Sequence, residues 1–206
     1  MILTKYKTTI LLAICCLLSV SCAYFSSHGR AYKKAQYAND RGNYEQAVYA
    51  AIEALKIKPD YEEVEKIMDQ AFPKAIRKHH KKIDKIKSYK KEFYWDKILD
   101  ELKILEDLRF SIEDLNHNKS PIWLSKANVR DYIIEINSAK NNAAEDHYQA
   151  GLTFKSKNDR ESQKNAAQQF QLAQSFMNNY KNAQDLYLVC KNAGTTRIAI
   201  LPFTNK

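Results

Sequence analysis

The best constellation for acid–base chemistry is Glu145-Asp146-His147, two carboxylates beside an imidazole, a set that proton-transfer chemistry could use. Consecutive helical residues point in different directions, so these three do not converge on one reacting atom. The expectation they leave is an exposed helix start. The same geometry weakens His79-His80 as a metal pair, and no zinc-type spacing accompanies it. No phosphate-cradling glycine loop and no Gly-x-Ser-x-Gly elbow occurs. Apart from Gly29, the glycines are Gly42, Gly151 and Gly194, each assignable to a turn, a close helix contact or a helix end. Catalysis, a metal and a cofactor are therefore not expected.

Reactive sulfur is the remaining chemistry, in Cys15, Cys16, Cys22 and Cys190. Lys5 and Lys7 precede an apolar run over residues 8–19, which stops at Ser21-Cys22 ahead of the polar string Ser26-Ser27-His28-Gly29-Arg30. A bilayer-spanning helix needs about 20 apolar residues, so the run is too short to span. A positive start, a short apolar core and a small residue at Ser21 are the parts of an export signal. The string Leu18-Ser19-Val20-Ser21-Cys22 resembles a lipobox, the recognition site of lipoprotein signal peptidase. That resemblance implies that residues 1–21 are removed, that Cys22 carries thioether-linked lipid and that residues 22–27 are a linker. Ordinary cleavage near Cys22 without a lipid is the alternative. Two disulfides, which four cysteines in an exported chain would otherwise suggest, then drop out, leaving Cys190 as a small buried hydrophobe.

Loss of Lys5 and Lys7 takes the 33 basic residues to 31 against 24 acidic ones, a balance of +7. Nucleic acid is not expected as a partner of an exported chain; anionic lipid or polysaccharide is the alternative that the basic charge leaves open. Basic residues are densest over residues 74–91, where Arg77, Lys78, Lys81 and Lys82 are candidate contacts. A solvated helix face is the competing reading.

These residues must be carried by helices, because the chain is poor in Gly and Pro and rich in Ala, Lys, Glu, Gln and Leu. In residues 28–61, Ala31, Ala35 and Ala38 form one small-residue stripe, and Ala47, Ala51, Ala54 and Leu55 form another. Between them Arg41-Gly42-Asn43-Tyr44 makes a turn, and Pro59 closes the segment. An antiparallel helix pair follows. With Ala35, Gly42, Tyr44, Ala47, Ala54, Leu55, Ile57 and Pro59 in place, the segment resembles a tetratricopeptide repeat, a 34-residue helix-turn-helix unit. A second copy aligns at Gly151, Phe154, Ala166, Phe170, Ala173 and Phe176, with the polar loop 155–162 inserted. Each copy is followed by a further helix, over residues 62–71 and 181–192.

Between the copies, residues 75–114 read as a helical hairpin broken near residues 91–94, with the stripe Trp95, Ile98, Leu99, Leu102, Leu105 and Leu108. Residues 116–121 read as a loop, and a helix is expected from about residue 125 to 140. Three bodies follow: 28–72, a repeat with its following helix; 73–140, a hairpin or degenerate repeat; and 141–194, the second repeat. The fold class is all-α, a repeat solenoid after a lipoprotein signal peptide, ending in one extended segment over residues 195–206. Within it, Ile198-Ala-Ile-Leu-Pro-Phe203 resembles the opening strand of periplasmic α/β domains such as those of curli secretion lipoproteins and the TolB translocation protein.

The repeat resemblance implies a concave face that holds another protein, with Tyr32, Gln36, Asn39, Tyr148 and Lys155 as candidate contacts. The expected role is a lipid-anchored scaffold in the bacterial cell envelope, at the outer membrane, whose partner is another envelope protein. A binder of anionic lipid or polysaccharide through residues 74–91 is the alternative.

Overall fold

The computed structural model describes residues 26–195, so the expected signal, Cys22 and the strand-like stretch 196–203 lie outside the described residues. Within them the chain is all-α, eight helices with no strand. No described helix is long and apolar enough to cross a membrane.

Helix α1, Ser27–Asp40, begins where the Ser26 hydroxyl accepts from the Gly29 N–H at 3.2 Å, which satisfies one of the otherwise unpaired first-turn donors. It buries Ala31, Ala35 and Ala38. Gly42 turns the chain with φ +74°, a region costly to any residue with a Cβ, and the Asn43 N–H donates to the Ala38 carbonyl at 2.9 Å. Helix α2, Tyr44–Ile57, packs back on α1 and buries Ala47, Val48, Ala51, Ala54 and Leu55, each 1% exposed or less. Alanines on both sides let the two backbones approach closely.

Helix α3, Glu62–Tyr89, is one unbroken 28-residue element, in place of two helices separated near residues 72–74. Pro73 lies inside it. An interior proline costs about 3 kcal/mol. Phe72, Ala75 and Ile76 beside it are 0–1% exposed, and burying those three side chains offsets that cost. The hairpin turn falls where expected, after Tyr89, with Lys90 and Phe93 in the left-handed region at φ 40° and 52°. Helix α4, Tyr94–Asp114, follows and buries Ile98, Leu99, Leu102, Leu105 and Leu108 as its spacing predicts, while Trp95 is half-buried.

The expected helix over residues 125–140 is instead two. Helix α5 is Ser120–Lys126, with Pro121 in its first turn, and α6 is Ile133–Ser156. Asn128 at φ 52° ends α5, the Val129 N–H reaching back to the Leu124 carbonyl at 3.0 Å, a helix stop that asparagine supports almost as glycine does. Helix α6 runs through residue 140 without interruption. The loop expected over 155–162 contracts to residues 157–159, because Asp159 caps α7, Arg160–Phe176, by accepting from the Ser162 N–H at 2.9 Å. Helix α8, Ala183–Gly194, completes the described chain.

Two compact units emerge, and their boundary falls inside α3 and α4. One comprises the chain up to Lys82 with Ile104–Asp131, and the other comprises Ile83–Lys103 with the chain from Tyr132. In the second, α6 packs on α7 and α7 on α8, around Tyr148, Ala166, Phe170, Ala173, Ala183 and Cys190. A Cβ at Gly151 would stand 2.7 Å from the Phe170 ring, so the α6–α7 approach requires glycine there. Cys190 is buried and free, and desolvation pushes its thiol up.

Candidate functional site

His147 sits in the middle of α6 and is 3% exposed, in place of the exposed helix start expected for Glu145-Asp146-His147. Its ring is sandwiched between Phe93, at 4.2 Å with planes 4° apart, and Phe176, at 5.4 Å and 12°. Its Nε2 faces the Asp96 carboxylate at 3.0 Å, and its Nδ1 lies 2.6 Å from the Gln169 side-chain oxygen. Both nitrogens and both faces are thus occupied by the protein. The neighbouring Glu145 carboxylate turns to other partners. Glu145 reaches Lys181 at 2.5 Å, Gln149 at 2.8 Å and the Tyr180 hydroxyl, and the Lys181 contact foremost holds its carboxyl down at about 2. Asp146 is pushed up, chiefly by burial and also by Asp96 and Glu145, while His147 pulls it down. What looks in sequence like an acid–base triplet is a packed polar core position flanked by one ion pair.

Tyr32, Gln36 and Asn39 are brought together by α1 spacing into one row beside the alanine stripe, each half-buried. Tyr32 leans on Tyr61 with centroids 5.4 Å apart, and the Asn39 Oδ1 is buried with no donor among the described residues. Tyr148 belongs to the core instead of an open face. It is 9% exposed, its hydroxyl donates to Asn182 Oδ1 at 2.6 Å, and its ring meets Phe170 and Tyr180 edge-on. Burial of an aromatic body around a satisfied hydroxyl explains this placement. Lys155 is half-buried on the same helix. Arg77, Lys78, Lys81 and Lys82 are all exposed on α3.

Neither protein-family models, nor curated proteins, nor solved structures match this chain. Among the described residues no group of three or more His, Cys, Asp or Glu side chains could hold a metal ion.

One polar cluster has no local signal in the sequence. His117 donates from Nε2 to the Pro59 carbonyl at 2.9 Å, accepts at Nδ1 from the Lys119 N–H at 3.1 Å, and stacks on Trp123 with centroids 5.1 Å apart. Trp123 is fully buried and donates to Asp69 at 3.1 Å, and Lys119 pairs with Glu65 at 2.6 Å, the contact that foremost raises its ammonium. These contacts fasten the α4–α5 connection to α3. Glu65 and Asp69 share a face of α3 at i, i+4 spacing, but their partners stand 54 positions away.

Proposed function

We propose that the chain is a lipid-anchored, tetratricopeptide-type scaffold of the bacterial cell envelope, held at the outer membrane through Cys22, whose α1 row engages another envelope protein. The observation that carries this reading is the repeated plan of a close antiparallel pair and a following helix. It occurs as α1–α2 with small residues on both sides, then α3, and as α6–α7 with Gly151 against Phe170, then α8. Helix pairs of this kind bury one face against a neighbour and leave another for recognition. The half-exposed row Tyr32, Gln36 and Asn39 beside the α1–α2 seam supplies aromatic and amide groups for that purpose. No catalytic role is proposed, since His147 has neither a free ring nitrogen nor a free face.

Affinity capture from envelope membranes, with the acylated protein as bait, tests the reading. A specific co-purifying protein should persist at high ionic strength and be lost from the bait bearing Tyr32→Ala, Gln36→Ala and Asn39→Ala. Capture that the triple substitution leaves intact would remove the α1 row, and capture abolished by salt alone would point to charge.

A further inference from the structure

At the tip of the α3–α4 hairpin, Lys85, Ile86, Tyr89, Lys91, Tyr94 and Lys97 enclose a recess of about 170 Å³. Its lining contains three lysines and no carboxylate. Lys85, Lys91 and Lys97 are exposed, and none forms an ion pair among the described residues. The recess surface is mostly apolar, lined by Ile86, the two tyrosines and the three lysines; an exposed lysine lays its aliphatic stem along apolar surface and keeps its ammonium in water. Tyr89 is 66% exposed there. The left-handed residues Lys90 and Phe93 bracket the turn that carries Lys91, which lines the recess together with both tyrosines.

We propose that this recess is a docking site for the phosphate headgroups of anionic phospholipid at a bilayer surface. A free phosphate would need the cations but neither the apolar lining nor an exposed tyrosine. An acidic protein surface would be met by lysines alone. Lysines above aliphatic stems, with tyrosine beside them, reproduce the order of a membrane interface, where amphipathic aromatic rings rest at headgroup depth and cations contact lipid phosphate. The site shares Lys85, Ile86, Tyr89 and Lys91 with the basic stretch 74–91 but does not include Arg77, Lys78, Lys81 or Lys82, and it depends neither on the α1 row nor on acylation of Cys22, because its contacts are made by the hairpin itself.

Hydrogen exchange on the full chain in vesicles reads the docking locally, whatever else holds the chain to the membrane. Vesicles of phosphatidylcholine alone are compared with vesicles that also contain phosphatidylglycerol. Each lysine at such a surface contributes roughly fivefold, so three favour the docked state on the order of 100-fold. Amides of residues 89–94 should therefore exchange about tenfold or more slowly with the anionic lipid only. Lys85→Gln, Lys91→Gln and Lys97→Gln together should abolish that slowing. The exposed set Lys66→Gln, Lys103→Gln and Lys191→Gln, equal in charge, should preserve it. Tyr89→Ala should weaken it several-fold with charge unchanged. Exchange indifferent to phosphatidylglycerol, equal loss in both triple variants, or equal protection by soluble glycerol phosphate would each overturn the proposal.

Discussion

His147 shows how an environment decides what a reactive residue does. Its imidazole supplies two hydrogen-bonding edges and a flat ring, and all of them are used internally, by Asp96, Gln169, Phe93 and Phe176. Replacing it by alanine opens a cavity and strands both polar partners, which should cost about 3 kcal/mol in urea unfolding. His147→Phe keeps the stack and loses only the hydrogen bonds, so a smaller cost of about 1–2 kcal/mol is expected. Equal, negligible losses for both would mean that the ring is not part of the core. Glu145 makes a prediction of a different kind. Its folded value of about 2 lies below the ordinary 4.5, so its contribution is present above about pH 4.5 and is lost as the pH falls toward 2. Its side chain is 36% exposed, so solvent screening reduces the size of the effect. Glu145→Gln should flatten the stability profile in that window while leaving the profile's shape above pH 5 unchanged. An acid limb identical to that of the parent protein would show that the Lys181 and Tyr180 contacts do not form in solution.

Among the elements, the α6–α7 pair depends on a single missing methyl group. A Cβ at Gly151 would meet Phe170 ring atoms at 2.7 to 2.9 Å, and Phe170 is fully buried and cannot withdraw into solvent. Gly151→Ala should lower stability by about 1–3 kcal/mol. Phe170→Leu removes the obstructing ring edge, so the double variant should lose less than the sum of the two single variants. Additive losses would show that the helices do not meet at this point. Gly42 is a different case, because there the φ of +74° and not the space demands glycine. The α1–α2 turn, the two alanine stripes, the break after Tyr89 and the α4 stripe were all legible in sequence, since each depends on residues within a turn or two of one another. The continuous α3 was not legible. Pro73 reads as a stop locally, and only the burial of Phe72, Ala75 and Ile76 around it carries the helix through.

For the molecule as a whole, the proposed covalent membrane attachment is through Cys22, which lies outside the described residues, and no described helix is long and apolar enough to cross a bilayer. After a high-salt wash, which removes headgroup contacts, Cys22→Ser should leave an uncut precursor or release the processed product into the soluble fraction. Normal processing with the product still membrane-bound after a high-salt wash would refute the lipoprotein reading. A membrane tether and the hairpin recess would act on one surface by different physics, a covalent lipid chain in one case and headgroup charge in the other. Salt should therefore weaken only the second.

By itself the sequence determined the helical class, the positions of several turns and the small-residue seams. These follow from helix propensity, from 3.6-residue periodicity and from glycine's access to positive φ, all of them local properties. Only the tertiary structure decided that His147 and Tyr148 are interior and that residues 116–121 are fastened by Trp123 and His117 to α3 and the turn before it. Their partners are too distant in sequence for any spacing rule to find: Asp96 stands 51 positions from His147, and Asp69 stands 54 from Trp123. A polar side chain's role depends on whether the fold brings it a partner before it meets water, and that comes from packing, not from pattern.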